Sequence, residues 1–372
     1  MVTRKRVMFF RPTLGEGGAD RVTWTLLRQL DRNRFEPSLA LMRAEGPFLA
    51  DLPKDITIHV LGSRRLATST LPLATLLRRE RPDVLFSTAS AANIVAVVAH
   101  RLARSKARLV LSERNALFRG RAADPKQKLE VALKRLLYRA ADLVTAVSQG
   151  VADQLVTDVG VPRERVAVVY NPMVEDDVAQ AMAEPVEHPW FRDAAPGIPV
   201  IVACARLVAQ KDYATLLDAF ALVRAKQPAR LFVLGEGPLR DELEQRAREH
   251  GISDDVCFFG FDKNPFKYMA RSKLLMHASR AEGLPGALIQ TMACGTPVVS
   301  TDCDFGPREV ITKSGSDGFL APVGDARALA EYALRLLGDE QLRGSIGLAA
   351  KASASRFSTH ASLARYEAAI EG

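Results

Sequence analysis

Apolar, β-branched runs recur along the first half of the chain at Arg6–Phe10, Pro37–Met42, Ile56–Val60, Val84–Ser87, Leu109–Ser112, Leu143–Val147 and Val166–Tyr170, with helical patterns between them. Near-continuous apolar strands alternating with helices predict a parallel sheet covered on both faces. The same rhythm returns at Ile198–Ala203, Ala229–Leu234, Val256–Phe259, Leu274–His277, Pro297–Ser300 and Gly318–Ala321, with helices such as Tyr213–Lys226 and Leu239–His250 between. A stretch rich in proline and acid, Asn171 to Pro199, separates the two series and reads as a linker. The fold class is therefore α/β, with two tandem Rossmann-like, doubly wound domains facing each other across a cleft. Their expected extents are residues 1–172 and 173–355, and an amphipathic stretch at about 356–372 is able to pack back on the first.

Composition agrees with an ordered globular body, for the 372 residues are 48% apolar and 25% charged. No apolar run approaches the roughly 20 residues that span a bilayer, and the run after Arg4, Lys5 and Arg6 is too short for a signal peptide. A cytoplasmic location is the expectation. Cys204, Cys257, Cys294 and Cys303 form no C-x-x-C pair and have no histidine at metal-ligand spacing, so they read as reduced thiols. Charge is unevenly spread. Residues 1–170 hold 29 Lys and Arg against 16 Asp and Glu, whereas residues 171–372 hold 22 against 27. Between Arg101 and Arg139 there are 12 basic and 3 acidic residues, which points to a polyanionic partner for the first half. Nucleic acid is disfavoured, because no aromatic-interleaved basic motif or zinc module accompanies the charge. An anionic membrane surface fits better. In Lys126–Arg139 the leucines Leu129, Leu133, Leu136 and Leu137 line a helical stripe among five cations, suited either to an anionic lipid surface or to packing on its own sheet.

Three segments carry candidate chemistry. The first strand runs into Gly15-Glu16-Gly17-Gly18-Ala19-Asp20-Arg21-Val22 before a helix, where Gly17 and Gly18 suit either anion binding at a helix start or a tight turn. The second domain opens with Ala205-Arg206-Leu207 and then Lys211, which puts a rigid guanidinium fork and a mobile ammonium on one loop, a pairing suited to a diphosphate. The third segment runs from Arg280 to Ser300. There Glu282 sits in a strand-to-helix loop, Gly283 and Gly286 permit exposed backbone N–H groups, and a helix from about Ala287 aims its positive end at the site. A carboxylate beside an anion-binding helix start can accept from sugar hydroxyls, and Gln290 can reach a ribose.

With these motifs in order, the chain resembles the family-four glycosyltransferases of GT-B fold over nearly its whole length. Supporting motifs are Gly17-Gly18-Ala19-Asp20-Arg21-Val22, Ser112-Glu113-Arg114-Asn115, Tyr170-Asn171-Pro172, Gly235-Glu236-Gly237-Pro238, Phe259-Gly260-Phe261 and Gly306-Pro307-Arg308-Glu309. The resemblance implies a retaining transfer of a hexose or N-acetylhexosamine from a nucleotide sugar, with a UDP-sugar as the expected donor. Arg206 and Lys211 would hold the donor diphosphate and Glu282 the transferred sugar. Gly17, Gly18, Phe261, Gly283, Leu284 and Gln290 complete the donor-binding set. Gln290 stands where the family places a second glutamate, and Ser112-Glu113-Arg114-Asn115 where many members place a cleft histidine. None of the six histidines lies at that strand end, and each reads as a surface or structural residue. The resemblance implies no metal and no cofactor beyond the nucleotide sugar as co-substrate, so Asp302-Cys303-Asp304 is discounted as a metal motif. By the same analogy the acceptor is a glycan, polyprenyl-diphosphate-linked, met at the inner face of a membrane through the basic first domain. A non-hydrolysing nucleotide-sugar epimerase and a catalytically silent sugar-nucleotide-binding protein are the competing readings.

Overall fold

The computed structural model describes residues 4–15, 18–116, 125–174, 177–191 and 197–372. The chain divides into two compact units, one comprising Met1–Pro172 with Thr359–Gly372 and the other Met173–Ser358.

The first unit is built on a seven-stranded sheet of β1 (Lys5–Arg11), β2 (Phe35–Leu41), β3 (Thr57–Val60), β4 (Val84–Thr88), β5 (Arg108–Glu113), β6 (Leu143–Ala146) and β7 (Val166–Val168). Spatial order is β3-β2-β1-β4-β5-β6-β7, and every pairing is parallel. Parallel neighbours require crossover helices, and right-handed crossovers in opposite directions place helices on both faces. The sheet is accordingly buried on both sides: Phe9, Leu39, Phe86, Val110 and Val144 have no exposed surface.

The second unit repeats the plan with β8 (Val200–Cys204), β9 (Arg230–Leu234), β10 (Val256–Gly260), β11 (Leu274–His277), β12 (Val298–Thr301) and β13 (Phe319–Ala321), in the order β10-β9-β8-β11-β12-β13 and again all parallel. The segment read as a linker is more than a connection. His188, Trp190 and Phe191 pack their half-buried rings around the buried Phe232 of β9, with centroids 4.9, 6.2 and 5.0 Å away, so this proline-rich stretch covers part of the second unit's sheet.

The amphipathic helix Thr359–Glu371 belongs to the first unit. Its Tyr366 is fully buried, lies edge-on to Phe86 at 6.0 Å, and donates to Asn171 Oδ1 at 3.1 Å. Glu367 and Glu371 pair with Arg34 at 2.6 and 2.5 Å.

The helix Pro125–Leu137 divides the expected leucine stripe: Leu137 is buried and Leu133 half-buried, whereas Leu129 and Leu136 are exposed. Lys134, in its middle, points inward with 1% of its side chain exposed, held between Glu113 at the end of β5 (3.0 Å) and Glu130 one turn earlier (2.9 Å). Glu113 also accepts from Tyr138 Oη at 2.8 Å and from Ser90. Burial alone would raise the Glu113 carboxyl, but Lys134 and these hydrogen bonds bring it below the ordinary glutamate range. With Lys134 turned in, Leu129 and Leu136 are turned out, 61% and 71% exposed. Removing one partner of a buried ion pair leaves a charge without compensation, so Lys134→Met should destabilise the protein by about 3–5 kcal/mol in chemical denaturation. A loss near zero would mean that Glu113 is not held by this lysine.

Candidate active site

Strand order in the second sheet reverses between β8 and β11: the chain first builds outward through β9 and β10, then returns to the other side. At such a reversal the loops leaving the two strands diverge and open a crevice at the carboxyl edge, the general ligand position in open α/β sheets. The loops leaving β8 and β11 are those that hold Arg206 and Lys211 on one side and Glu282, Gly283 and Leu284 on the other.

Four contacts tie these loops together. Lys211 Nζ lies 2.5 Å from Glu282 Oε1, Gln210 Nε2 donates to the Ala281 carbonyl at 2.7 Å, the Arg280 amide donates to the Gln210 carbonyl at 2.9 Å, and Arg280 Nε donates to Asp212 Oδ2 at 2.8 Å. Asp212 has a second task. It caps the helix Tyr213–Arg224 by accepting from the amide and hydroxyl of Thr215, so the loop that presents Lys211 is anchored in a helix start.

Glu282 is the most deeply committed charge in the site, 5% exposed. His277, the last residue of β11 and itself buried, places Nε2 2.9 Å from the same Oε1. Because an ionised carboxylate only accepts, His277 donates through Nε2. Burial would push the Glu282 carboxyl up, but the Lys211 charge and the His277 hydrogen bond prevail and hold it well below the usual glutamate range. The charge is felt in turn by Cys303 in the loop after β12, whose thiol is pushed up to about 12 by burial and by Glu282.

Two glycines set how closely neighbouring loops approach. A Cβ on Gly235, after β9 and at φ +141°, would fall 2.0 Å from the Ala205 carbonyl oxygen, so the Arg206 loop can seat only against a bare backbone. Gly306, at φ +82°, brings the β12 loop against Pro285 and the Gly283 carbonyl, where a Cβ would lie 2.7 and 3.0 Å away. Gly283 and Leu284 are thereby clamped below the start of the helix Gly286–Ala293, which carries Gln290 in its second turn, half-buried.

The expected residues fall into three groups. Arg206, Lys211, Glu282, Gly283, Leu284 and Gln290 surround the reversal point, with Arg206 exposed. Phe261 follows β10 at the same edge, 37% exposed, two strand spacings or roughly 10 Å from β8. Gly18 opens a helix in the first unit, and a Cβ there would meet nothing within 4 Å. Gly17 lies outside the described residues. His277, which reads as a structural residue in the sequence, touches the central carboxylate. The signal was available: a histidine ending a strand five residues before Glu282 sits on the same loop base. Asp302 of the discounted triplet is paired with Arg308, and among the described residues no group of three metal-ligating side chains converges.

Two all-parallel Rossmann-like sheets, the second carrying a paired lysine and glutamate across its reversal point, define a glycosyltransferase of the GT-B class. Residues 16–176 match the family described as Glycosyltransferase Family 4, and residues 188–353 that described as Glycosyl transferases group 1. The chain is 30% identical, over 95% of its own length and 96% of the relative's, to the N-acetylgalactosamine-N,N'-diacetylbacillosaminyl-diphospho-undecaprenol 4-alpha-N-acetylgalactosaminyltransferase of Campylobacter jejuni. It is 27% identical to the lipopolysaccharide core biosynthesis glycosyltransferase LpsE of Rhizobium meliloti, covering 88% of each chain. In fold it is similar to HepE of Anabaena, crystallised with UDP and glucose, with a TM-score of 0.81 over 99% of this chain and 100% of that one, at 22% identity. The chain belongs to glycosyltransferase family 4, and the protein is a glycosyltransferase.

A carboxyl held below its unfolded value stabilises the fold fully above that value, near pH 4.3, and loses the contribution as pH falls through its folded value. Glu282→Gln should therefore melt below wild type at pH 7, by about 3 kcal/mol for a buried partner left unpaired, with the gap narrowing as pH drops below about 4. Thermal unfolding from pH 7 to pH 3 checks it, and a gap independent of pH would remove Glu282 as a paired, ionised group.

Proposed function

We propose that this enzyme moves a hexose or N-acetylhexosamine from a UDP-sugar, with retention of anomeric configuration, to a polyprenyl-diphosphate-linked glycan acceptor at the inner face of a membrane, in surface-glycan assembly. The observation that carries the reading is the Lys211–Glu282 pair at the second sheet's reversal point, buttressed by His277.

In such a transfer the leaving diphosphate gains charge as the sugar departs, so cations and oriented dipoles fixed in advance lower the barrier. Arg206 offers a planar fork to phosphate oxygens, Lys211 a point charge already directed at the site, and the helix starting at Gly286 its positive end. Glu282, kept ionised, accepts from sugar hydroxyls and orients the ring. His277 acts through Glu282 as a positioning residue. The departing phosphate takes the acceptor proton, which leaves no need for a protein nucleophile. The relatives support the reading in two respects: HepE was crystallised with UDP-glucose, and the Campylobacter enzyme is named for an undecaprenol-diphosphate-linked acceptor.

The acceptor side of the proposal draws on the first unit. Leu129 and Leu136 stand out from the helix Pro125–Leu137 beside the exposed cations Lys128, Arg135 and Arg139. Two neighbouring helices, Thr70–Glu80 and Ser90–Ala103, add exposed Leu71 and Leu102 among Arg78, Arg79, Arg101 and Arg104. Exposed leucines among arginines suit the headgroup layer of an anionic membrane, each cation adding about 1 kcal/mol. No helix among the described residues is long and apolar enough to cross a bilayer.

Nucleotide release from a panel of nucleotide sugars, with and without membrane extract, tests the transfer. Release should require one donor and the extract, and fall by about 10²–10³ in Glu282→Ala and Arg206→Ala. Isomerised sugar without acceptor would favour an epimerase, and binding with no release a silent binding protein. For the membrane, cosedimentation with phosphatidylglycerol vesicles should drop by about 100-fold when Lys128, Arg135 and Arg139 are replaced together by Glu. Unchanged sedimentation would dismiss that face as the contact.

A further inference from the structure

The first sheet also reverses its order, between β1 and β4, and the loop after β4 leaves its carboxyl edge beside that reversal. Ala89 opens the loop at φ +105° and ψ 133°, a combination open to glycine and strained for a residue with a Cβ. Its carbonyl accepts from the Asn93 amide at 2.9 Å, so the strained residue starts the helix Ser90–Ala103 and fixes where Ser90 stands. Ser90 is half-buried, and its hydroxyl meets Glu113 at the end of the neighbouring strand β5.

An ionised carboxylate only accepts, so Ser90 donates its one hydrogen to Glu113 Oε1 and keeps lone pairs alone for any other partner. Glu113 is not free to turn away. It is fully buried, and Lys134 Nζ and Tyr138 Oη hold its other oxygen at 3.0 and 2.8 Å. Asn93, one turn along the same helix, is fully buried as well; its Nδ2 donates to the Ser112 carbonyl and the Tyr138 hydroxyl, both at 3.1 Å, while its Oδ1 has no partner. Residues three apart share a helix face, so what stays uncommitted on this face is hydrogen-bond-accepting. Ionised phosphate oxygens, which also only accept, gain nothing from such a face, whereas a hydroxyl does. A carboxylate that holds a serine by its proton fixes in advance the oxygen that receives that hydroxyl.

We infer that Ser90 binds the acceptor, its oxygen taking a hydrogen bond from a hydroxyl of the glycan to be extended, with Glu113 as the positioning residue behind it. The inference rests on the transfer reading above and adds to it a contact by which the first unit holds the acceptor sugar.

Nucleotide release at saturating donor is followed over a dilution series of the membrane extract for wild type, Ser90→Ala, Ser90→Thr and Ala89→Gly, with calorimetric titration of UDP and thermal melting alongside. Ser90→Ala should need about tenfold more extract for half-maximal release, as the loss of one hydrogen bond requires, while binding UDP within about twofold of wild type and melting with it. Ser90→Thr keeps the hydroxyl and should recover most of the lost dependence on extract. Ala89→Gly relieves the backbone and should melt above wild type, yet need more extract because Ser90 is no longer held in place. Two outcomes would overturn the inference and leave transfer standing: an unchanged extract requirement in Ser90→Ala, or equal impairment of Ser90→Ala and Ser90→Thr with UDP binding and melting lowered in step. A wild type that releases no nucleotide from any donor would sink the transfer reading and this inference together.

Discussion

A carboxylate can be buried in a protein only where its charge is matched, and much of the second unit's carboxyl edge is arranged around matching one. Glu282 draws Lys211 from the loop after β8 and His277 from the end of β11, and in doing so joins the two loops on either side of the strand reversal. The neighbouring contacts reinforce the closure. Arg280 crosses back to Asp212, which is also a helix cap, so the position of the lysine depends on a helix start and on a salt bridge at once. Gly235 and Gly306 then let adjacent loops press in where any side chain would collide.

The first unit solves a related problem differently. Glu113 stands at the end of β5, fully sequestered by Lys134, Tyr138 and Ser90. It ties the helix Pro125–Leu137 to the end of β5 through Lys134. With Lys134 turned inward in that pair, Leu129 and Leu136 face outward beside Lys128 and Arg135, while Leu137 stays in the core.

The strands were legible because apolar runs in parallel sheets are long and closed off by turn residues, and each of the thirteen predicted runs coincides with an observed strand to within a few residues. The loop around Glu282 was legible because a carboxylate, two glycines and a helix start in twelve residues have few other uses. What escaped was long-range. Nothing in the local pattern of Lys126–Arg139 says that Lys134 faces Glu113, more than twenty residues earlier, because helical periodicity gives faces but not which face the sheet prefers. His277 escaped because a histidine inside an apolar run looks structural until the carboxylate it meets is placed. Residues Asn171–Pro199 looked like a spacer because they are rich in proline and acid, although the rings of His188, Trp190 and Phe191 pack against Phe232.

The return of the helix Thr359–Glu371 to the first unit bears on how the protein comes into being. During synthesis, at about 5–20 residues per second, the first 172 residues emerge well before this helix, and until it arrives Phe86 and Asn171 lack the buried Tyr366. The second unit is continuous in sequence, though its first residues, Met173 and Val174, also bond to Phe357 at its far end. The half made first is thus completed last, by residues translated after the whole of the other half.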